Sequence, residues 1–259
     1  LRSYGYDAFG NRVWDERSGE RADYTYDAAD RLLHVTRDGR ATDFSYDGRG
    51  NLRVVSGGGH DERSYDYDAT NRLVQASSVS QGAMRTARYA YDGLGQRILQ
   101  SLTDDRDPGR AQTARYVHDL SRVGRNLLQR SDDSGCESLV WNGSPVVAFS
   151  DAVAKWFACD EVGSPLEALS ADGSSLGGVG YDEFGQVIAG DPSAFSGVGF
   201  ASYGQDLVSG MLFAEAREYD PRTGRFAARD RHTGIGGAPQ TLNKYSYCWN
   251  SHLEYVDVN

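Results

Sequence analysis

The chain has 259 residues, a formal net charge of −10 and a sequence pI of about 5.0. This acidity argues against non-specific nucleic-acid binding, which needs a basic surface, and no run of 18 apolar residues is present to span a bilayer. The three cysteines are widely spaced and the five histidines show no metal-ligand pattern, so we predict neither a metal nor another cofactor. The chain starts at Leu1 without a signal peptide, which leads us to expect a piece of a longer protein.

A nine-residue phrase, Tyr-x-Tyr-Asp-x-x-Gly-x-Arg, recurs with variations through the first hundred residues. Its copies begin at Tyr4, Tyr24, Phe44, Tyr65 and Tyr89. The aromatic-Asp pair inside the phrase steps by 20, 20, 21 and 24 residues. A nearly fixed period in this range indicates a repeat architecture.

Each copy predicts two strands and two turns. Tyr-x-Tyr has the period of a strand, so both rings point to one face, and the Asp that follows is typical of a turn. The third residue after that Asp is always a type that tolerates a left-handed backbone: Gly10, Asp30, Gly50, Asn71 and Gly95. A second strand then returns, and Asp38-Gly39 is a strong two-residue hairpin signal. Stacked hairpins of this kind form a twisted sheet that must curl to bury one face.

The repeat fades between residues 98 and 178. Residues 103–110 are polar with Pro and Gly, which predicts a long loop, and 139–147 predict a hairpin with an Asn-Gly turn. The phrase returns at Tyr181-Asp182. Because five repeats are few, we expect an open, curved sheet, or one whose edges are covered by the middle segment or by another copy.

The last quarter changes character. Two similar turn phrases lie at 206–210 and 220–226, and the residues between them, 211–219, predict one strand. We found no convincing helical periodicity, so the predicted fold is all-β with little or no helix. We divide the chain into repeat hairpins at 1–100, divergent repeats and loops at 101–178, and a last repeat with a distinct C-terminal core at 179–259.

These phrases resemble the RHS/YD-repeat family over essentially the whole chain. The strongest resemblance is at 216–226, Ala-Arg-Glu-Tyr-Asp-Pro-Arg-Thr-Gly-Arg-Phe, within 206–257, which is similar to the family's RHS-associated core. Residues 160–165 resemble its Asp-x-x-Gly-Ser phrase. The resemblance implies a spiral of β-hairpins that wraps into a hollow shell, with the core near its closing end.

The resemblance also implies a role. Bacterial members enclose a variable C-terminal toxin or lie on the cell surface, so we expect an encapsulating shell segment whose partner is its own C-terminal toxin or variable domain, secreted or surface-displayed. Animal members, the teneurins, serve in adhesion, so a module that binds a glycan or a cell-surface protein is an alternative. The tyrosine ladders suit sugar stacking, but cross-strand packing explains them more simply.

A second alternative is self-cleavage. In the toxin-complex members the core cuts its own chain, and the implicated positions correspond to Arg217, Asp230 and Asp257 here. Two neighbouring carboxylates that share a proton can act as acid and base, while an arginine holds the developing oxyanion. The chain departs from the family at Asp230-Arg231 and Asp257-Val258, where Asp-Pro is usual, so these residues are alternatively braces of the core. We expect no turnover of external substrates.

Overall fold

The computed structural model describes residues 2–59, 62–121, 126–150, 153–235 and 241–250. No α-helix occurs within these ranges, and short 3-10 turns lie at Pro192–Phe195, Phe200–Ser202 and Cys248–Asn250. The strands, in chain order, are β1 Arg2–Tyr6, β2 Arg12–Arg17, β3 Glu20–Tyr26, β4 Leu32–Arg37, β5 Arg40–Tyr46, β6 Leu52–Gly57, β7 Arg63–Tyr67, β8 Leu73–Ser80, β9 Ala83–Tyr91, β10 Arg97–Asp104, β11 Gln112–His118, β12 Leu127–Asp132, β13 Gly135–Asn142, β14 Ser144–Ser150, β15 Val153–Cys159, β16 Pro165–Leu169, β17 Ser175–Tyr181, β18 Val187–Gly190, β19 Gly204–Asp206, β20 Met211–Ala214, β21 Arg217–Asp220 and β22 Arg225–Phe226.

The first eighteen strands form one antiparallel sheet. Each strand pairs with the next along the chain, so the sheet is an unbroken series of hairpins. The predicted all-β fold of stacked hairpins is therefore confirmed. Strands β10 and β17 run across residues 100 and 178, and the division of the chain at these positions stays a prediction.

The Asp of each repeat forms the turn that the phrase predicts. Asp27 Oδ1 accepts hydrogen bonds from the backbone N–H groups of Ala29 and Arg31, both at 2.9 Å. The corner residues Asp30 and Asn71 have φ of +59° and +63°, as the left-handed prediction requires. Every such turn follows an odd-numbered strand. All of these turns therefore lie at the same end of the strands, on one rim of the curled sheet, which we call the Asp-turn rim.

On the opposite rim, the connections after β2 and β4 are two-residue turns. Asp38 and Gly39 have φ of +51° and +74°, and Ser18 and Gly19 have +53° and +87°. Positive φ at both central residues is the backbone of the type I′ turn, whose twist matches that of the flanking strands. In the first two repeats the two rims therefore differ, with Asp-stabilised turns at one end of the strands and two-residue hairpin turns at the other.

The tyrosines of the repeats form the inner face of the sheet. Tyr24, Tyr65 and Tyr89 are 6%, 1% and 6% exposed, and their neighbours two residues on pack against the same clusters. The period-two pattern of Tyr-x-Tyr thus selects which face is buried. Small residues such as Ala76 and Ala87, both completely buried, lie beside the rings and let them pack closely.

The divergent middle segment continues the sheet as β11 to β17. Strand β10 extends to Asp104, so the loop predicted at 103–110 begins two residues later than expected and runs over 105–111. Cross-strand pairing along β9 and β10, which reaches the Asp104 and Arg85 pair, explains the extension. The hairpin predicted at 139–147 is confirmed, because β13 and β14 flank Gly143 in its left-handed conformation.

The two ends of the sheet meet through side chains. Arg2 of β1 forms an ion pair with Asp182 in the turn after β17, and Tyr4 donates a hydrogen bond to Glu183 at 2.9 Å. The Tyr4 ring also packs on Phe184, with centroids 5.2 Å apart. The sheet is therefore curled round upon itself. Strand β1 contacts the last repeat because the middle hairpins, β11 to β17, continue the curl.

Residues 191–250, which we call the C-terminal module, contain the 3-10 turns and the small sheet β19–β22. The prediction of one strand over 211–219 is wrong, because β20 ends at Ala214 and β21 begins at Arg217. A tight turn separates them, with Glu215 at φ +56° and the Ala216 N–H bonded to the Ala214 carbonyl at 2.6 Å. Neither residue is a usual turn former, so composition did not reveal the break.

Candidate functional site

The C-terminal module lies against the Asp-turn rim and bonds to successive repeats. Arg225 donates to the Asn11 side chain at 2.9 Å and to the Asp30 carbonyl at 2.6 Å. The Tyr245 hydroxyl donates to the Gly50 carbonyl at 2.8 Å. Three consecutive repeats therefore hold the module through the corners of their turns, which makes the repeat phrase a docking element as well as a building unit.

The centre of the module is aromatic. The rings of Tyr219 and Tyr247 lie 4.3 Å apart between centroids, and Phe226 contacts both. Tyr219 is completely buried and donates its hydroxyl to the Phe184 carbonyl at 2.8 Å. Because Phe184 belongs to the last repeat, this contact joins the module to the hairpin that also meets β1.

A buried ion cluster links the sheet to the module. Arg97 of β10 donates to Asp206 of β19 at 3.1 Å and to Glu218 of β21 at 2.9 Å. All three side chains are 6% exposed or less. Burial raises the pKa of Glu218 to about 7; the Arg97 cation opposes this rise and the Asp206 carboxylate adds to it. One cation thus faces two buried carboxylates across the contact between sheet and module.

Sequence reasoning missed this cluster, although the repeat contained a signal for it. Arg31 and Arg72 lie one residue earlier in their copies and pair with the Asp of their own turn at 2.6 and 2.8 Å. Arg97 instead occupies the position that is Leu32 or Leu73 in other copies, where the side chain is buried. An arginine at a buried leucine position predicts a buried partner of opposite charge, but it does not identify Asp206 or Glu218.

The structure brings together two of the three predicted site residues. Arg217 Nη2 lies 3.2 Å from Asp230 Oδ2, and the Arg217 guanidinium also stacks on Phe226, 3.6 Å from the ring centroid. Asp230 Oδ1 accepts the backbone N–H of His232 at 2.7 Å. Asp257 lies outside the described residues. The observed pair is an oriented carboxylate beside a fixed cation.

This pair lines a cleft of about 920 Å³ between the module and the Asp-turn rim. The turns of the fourth and fifth repeats, together with Tyr91 at the end of β9, also line this cleft. Arg231 closes one side by donating to the carbonyl of Thr70. A cation and a carboxylate in such a cleft can polarise a carbonyl and activate a water, and acid–base cleavage needs a further proton donor.

Other features bear on the remaining predictions. Within the described ranges, no group of three or more His, Cys, Asp or Glu side chains is arranged to hold a metal ion. None of the helical segments described is long and apolar enough to cross a membrane. The repeat tyrosines Tyr24, Tyr65 and Tyr89 are buried, so they present no face to a sugar, and a glycan partner stays a prediction.

Comparison with known proteins gives relatives of two kinds. The chain is 28% identical over 230 residues to Double-stranded DNA deaminase toxin A of Burkholderia cenocepacia, covering 78% of this chain and 16% of that protein. It is 29% identical over 236 residues to Toxin protein Tse5 of Pseudomonas aeruginosa, covering 78% and 17%. Teneurin-3 of Danio rerio is 26% identical over 210 residues, covering 75% and 8%. The chain therefore spans less than a fifth of each of these relatives.

Solved structures share the fold. A crystal structure of TcdB2-TccC3 matches all of this chain and 17% of the matched chain, with a TM-score of 0.58 and 15% sequence identity. The Tc holotoxin pore of Photorhabdus luminescens matches 99% of this chain and 16% of its own, with a TM-score of 0.57. The family model described as Teneurin YD-shell matches residues 1–252. With its Tyr-Asp hairpins and its docked module, the chain belongs to the Teneurin YD-shell family and so to the RHS/YD-repeat proteins.

Proposed function

We propose that this chain is a wall segment of a hollow β-shell that encloses a toxic polypeptide of the same protein. The observation that carries the proposal is the closed curvature of the eighteen-stranded sheet, whose ends meet at Arg2 and Asp182 while the module covers one rim. In this proposal the curled sheet separates an inner space, which holds the toxic polypeptide, from the solvent. We call the full-length protein that contains this segment the parent. The resemblance to two proteins named as toxins supports a toxin, rather than an adhesion receptor, as the parent.

The enclosed partner in this proposal is the C-terminal toxin or variable domain of the parent protein, which is secreted together with the shell. The buried cluster of Arg97, Asp206 and Glu218 supports it, because it fixes the module to the sheet through buried ion pairs. Adhesion to a glycan or to a cell-surface protein is the alternative inherited from the family.

Limited proteolysis of the natural full-length protein tests the enclosure. We expect the toxin region to resist a protease concentration that degrades the same region expressed alone. The matched comparison is a parent carrying Arg225→Ala, which loses the bonds to the first two repeats and should protect less. Equal digestion of the toxin region inside and outside the parent would contradict the proposal.

A second function, self-cleavage, is favoured by the pairing of Arg217 with Asp230 on an open cleft. In this proposal Asp230 activates a water, Asp257 supplies the proton, and Arg217 orients the carboxylate or holds the oxyanion. The hydroxide adds to the peptide carbonyl, the C–N bond breaks, and the leaving amine takes the proton.

Intact-mass measurement of the parent, expressed with its native residues beyond Asn259, tests cleavage. We expect two fragments from the unchanged protein and one chain from Asp230→Asn and Asp257→Asn. Asp66→Asn, a change of the same size at an exposed strand position, is the control and should cleave normally. An uncleaved parent, or fragments that persist in both site variants, would contradict the proposed self-cleavage.

A further inference from the structure

The inner face of the sheet carries a cavity that differs in charge from the rest of the protein. Its volume is about 670 Å³, within the range of ligand sites. Arginines and carboxylates share its lining with Tyr24, Phe44 and apolar side chains. The charged lining residues are Arg37, Arg40, Arg63, Arg222, Asp38 and Asp220. Four cations against two carboxylates leave an excess of two positive charges, in a chain whose net charge is −10.

Two of these arginines are already neutralised by the protein. Arg37 lies 3.0 Å from the buried Asp15. Arg222 forms a two-point ion pair with Asp220 at 2.8 and 2.9 Å. These pairs form parts of the cavity wall and are not available to a ligand without breaking.

The other two arginines have no carboxylate at ion-pair distance; burial raises the pKa of Asp220 in the same lining, and the charge of Arg63 opposes that rise. Neither Arg40 nor Arg63 forms an ion pair with any carboxylate in the part of the chain that the structure describes. Arg63 is half-buried, and its guanidinium carbon lies 3.4 Å from the position that a Cβ on Gly210 of the module would occupy. A guanidinium held against the backbone in this way presents its donors in a fixed direction, which suits two-point binding of a carboxylate.

The cavity is reachable from outside the closed rim. Asp38 and Gly58 of its lining belong to turns of the opposite rim, and Arg40 begins β5 beside them, while Asp220, Arg222 and Thr223 of the module line the other side. A polypeptide enclosed by the curled sheet would contact this lining. The Phe44 ring can pack against aliphatic side chains that lie between the acidic residues of that polypeptide.

We infer that this cavity binds carboxylate side chains of an acidic segment of the enclosed polypeptide, with Arg40 and Arg63 as the binding residues. This inference rests on the proposed enclosing function and names the chemistry of one contact with the cargo. The arginines give attraction without a specific sequence requirement, because each reads only an oxyanion. The contact weakens as salt screens it.

Fluorescence anisotropy with a labelled hexaglutamate peptide tests the site on the whole chain. We expect Arg40→Gln/Arg63→Gln to weaken binding at least about tenfold, which is the loss of roughly one good charged contact. Arg53→Gln/Arg88→Gln removes the same charge from exposed strand positions and should change binding less than about twofold. Equal weakening by both double variants would show that only net charge matters and would overturn the site.

Further measurements identify the ligand and distinguish a loss of binding from a loss of folding. Arg40→Lys/Arg63→Lys keeps the charge but loses two-point geometry, so it should bind between the unchanged chain and the glutamine variant. Inorganic phosphate that displaces the peptide at equal concentration would overturn the peptide assignment. A full-length parent that protects its toxin while hexaglutamate fails to bind would remove this site and leave the enclosing function standing.

Discussion

Arg97 and Glu218, separated by 121 residues in sequence, are joined by a 2.9 Å hydrogen bond that ties the repeat sheet to the C-terminal module. Asp206 shares the same guanidinium at 3.1 Å. All three side chains are buried, and within the described residues Arg97 is the only ion-pair partner of these two carboxylates. Arg97 is therefore the cation that balances the buried charge of this contact, beside the bonds that Arg225 and Tyr245 make to the repeat turns.

Arg97→Leu should destabilise the protein by about 3–5 kcal/mol, because it leaves two buried carboxylates without a counter-ion. Urea unfolding at pH 7 gives the free energy of unfolding for this comparison. Arg53→Leu, at an exposed strand position, is the control and should change it by less than about 0.5 kcal/mol. A loss below about 1 kcal/mol in Arg97→Leu would mean that the cluster adapts without the cation.

Glu218 should make the protein less stable as the pH rises. Its pKa in the folded protein is raised to about 7 from an ordinary 4.5, so folding favours the protonated form. The contribution of Glu218 is therefore complete below pH 4.5 and is lost as the pH rises through about 7. Relative to Glu218→Gln, the unchanged protein should lose about 3 kcal/mol of unfolding free energy between these limits, because each tenfold difference in proton affinity between the folded and unfolded states corresponds to about 1.4 kcal/mol.

Urea unfolding of both proteins at pH 5, 6, 7 and 8 measures this difference, and subtraction cancels the groups that they share. Parallel stability curves would show that Glu218 titrates with its ordinary pKa. A gap that opens in the other direction, with the unchanged protein gaining stability above pH 7, would contradict the direction in which burial moves this pKa.

Alanine substitutions at two glycines in equivalent turn corners distinguish the cost of backbone strain from the cost of a steric clash. Gly50 and Gly95 have φ of +87° and +86°. A Cβ on Gly50 would lie 2.6 Å from the Tyr245 hydroxyl, whereas nothing lies within 4 Å of that position at Gly95. Gly95→Ala should cost about 1–2 kcal/mol from the left-handed backbone alone, and Gly50→Ala at least about 1 kcal/mol more.

The measurement is again urea unfolding, with Tyr245→Phe added to both glycine variants. Removing the hydroxyl should recover part of the Gly50→Ala loss and none of the Gly95→Ala loss. Equal costs for the two glycines would mean that the module does not press on the third repeat.

Asp15 should give the protein its sensitivity to acid. It is fully buried, accepts the Tyr24 hydroxyl and pairs with Arg37 at 3.0 Å. Burial alone would raise the pKa of Asp15, but the Tyr24 and Arg37 contacts outweigh it and lower the pKa below the ordinary 3.8. The stabilisation is therefore present above pH 3.8 and is lost as the pH falls through the lowered value.

Asp15→Asn should cost about 2 kcal/mol or more at pH 7, and its difference from the unchanged protein should shrink towards pH 2. Asp23→Asn, which removes an exposed pair with Arg21, is the control and should cost less than about 1 kcal/mol. Thermal unfolding across this pH range decides the matter. A constant difference at every pH would show that Asp15 acts through shape and not through charge.

Much of the repeat region was predictable because its rules are local. The φ values at Asp30 and Asn71 follow from steric limits within one residue, and the buried face follows from the period-two spacing of Tyr65 and Tyr67. The same local rules failed at 211–219, where a turn at Glu215 divides a stretch that has the composition of one strand. The turn lets β20 and β21 pair as an antiparallel hairpin of the small sheet.

The candidate site was predictable only in part, because its partners are distant in sequence. The family phrase identified Arg217 and Asp230, which the structure pairs at 3.2 Å, but no pattern in the sequence indicated that Arg97 would face Glu218. Residues at equivalent positions of the repeat therefore have different partners: Arg97 contacts the module, whereas Leu32 and Leu73 pack in the hydrophobic core.

The sequence by itself determined the hairpin unit, its corner conformations and the face that each strand buries, since these depend on neighbours a few residues apart. Only the tertiary structure decided that Arg2 meets Asp182 and that the module docks on Gly50 through Tyr245. Both depend on the curl that twist accumulates over eighteen strands, and a small change of twist per strand would move these partners out of reach.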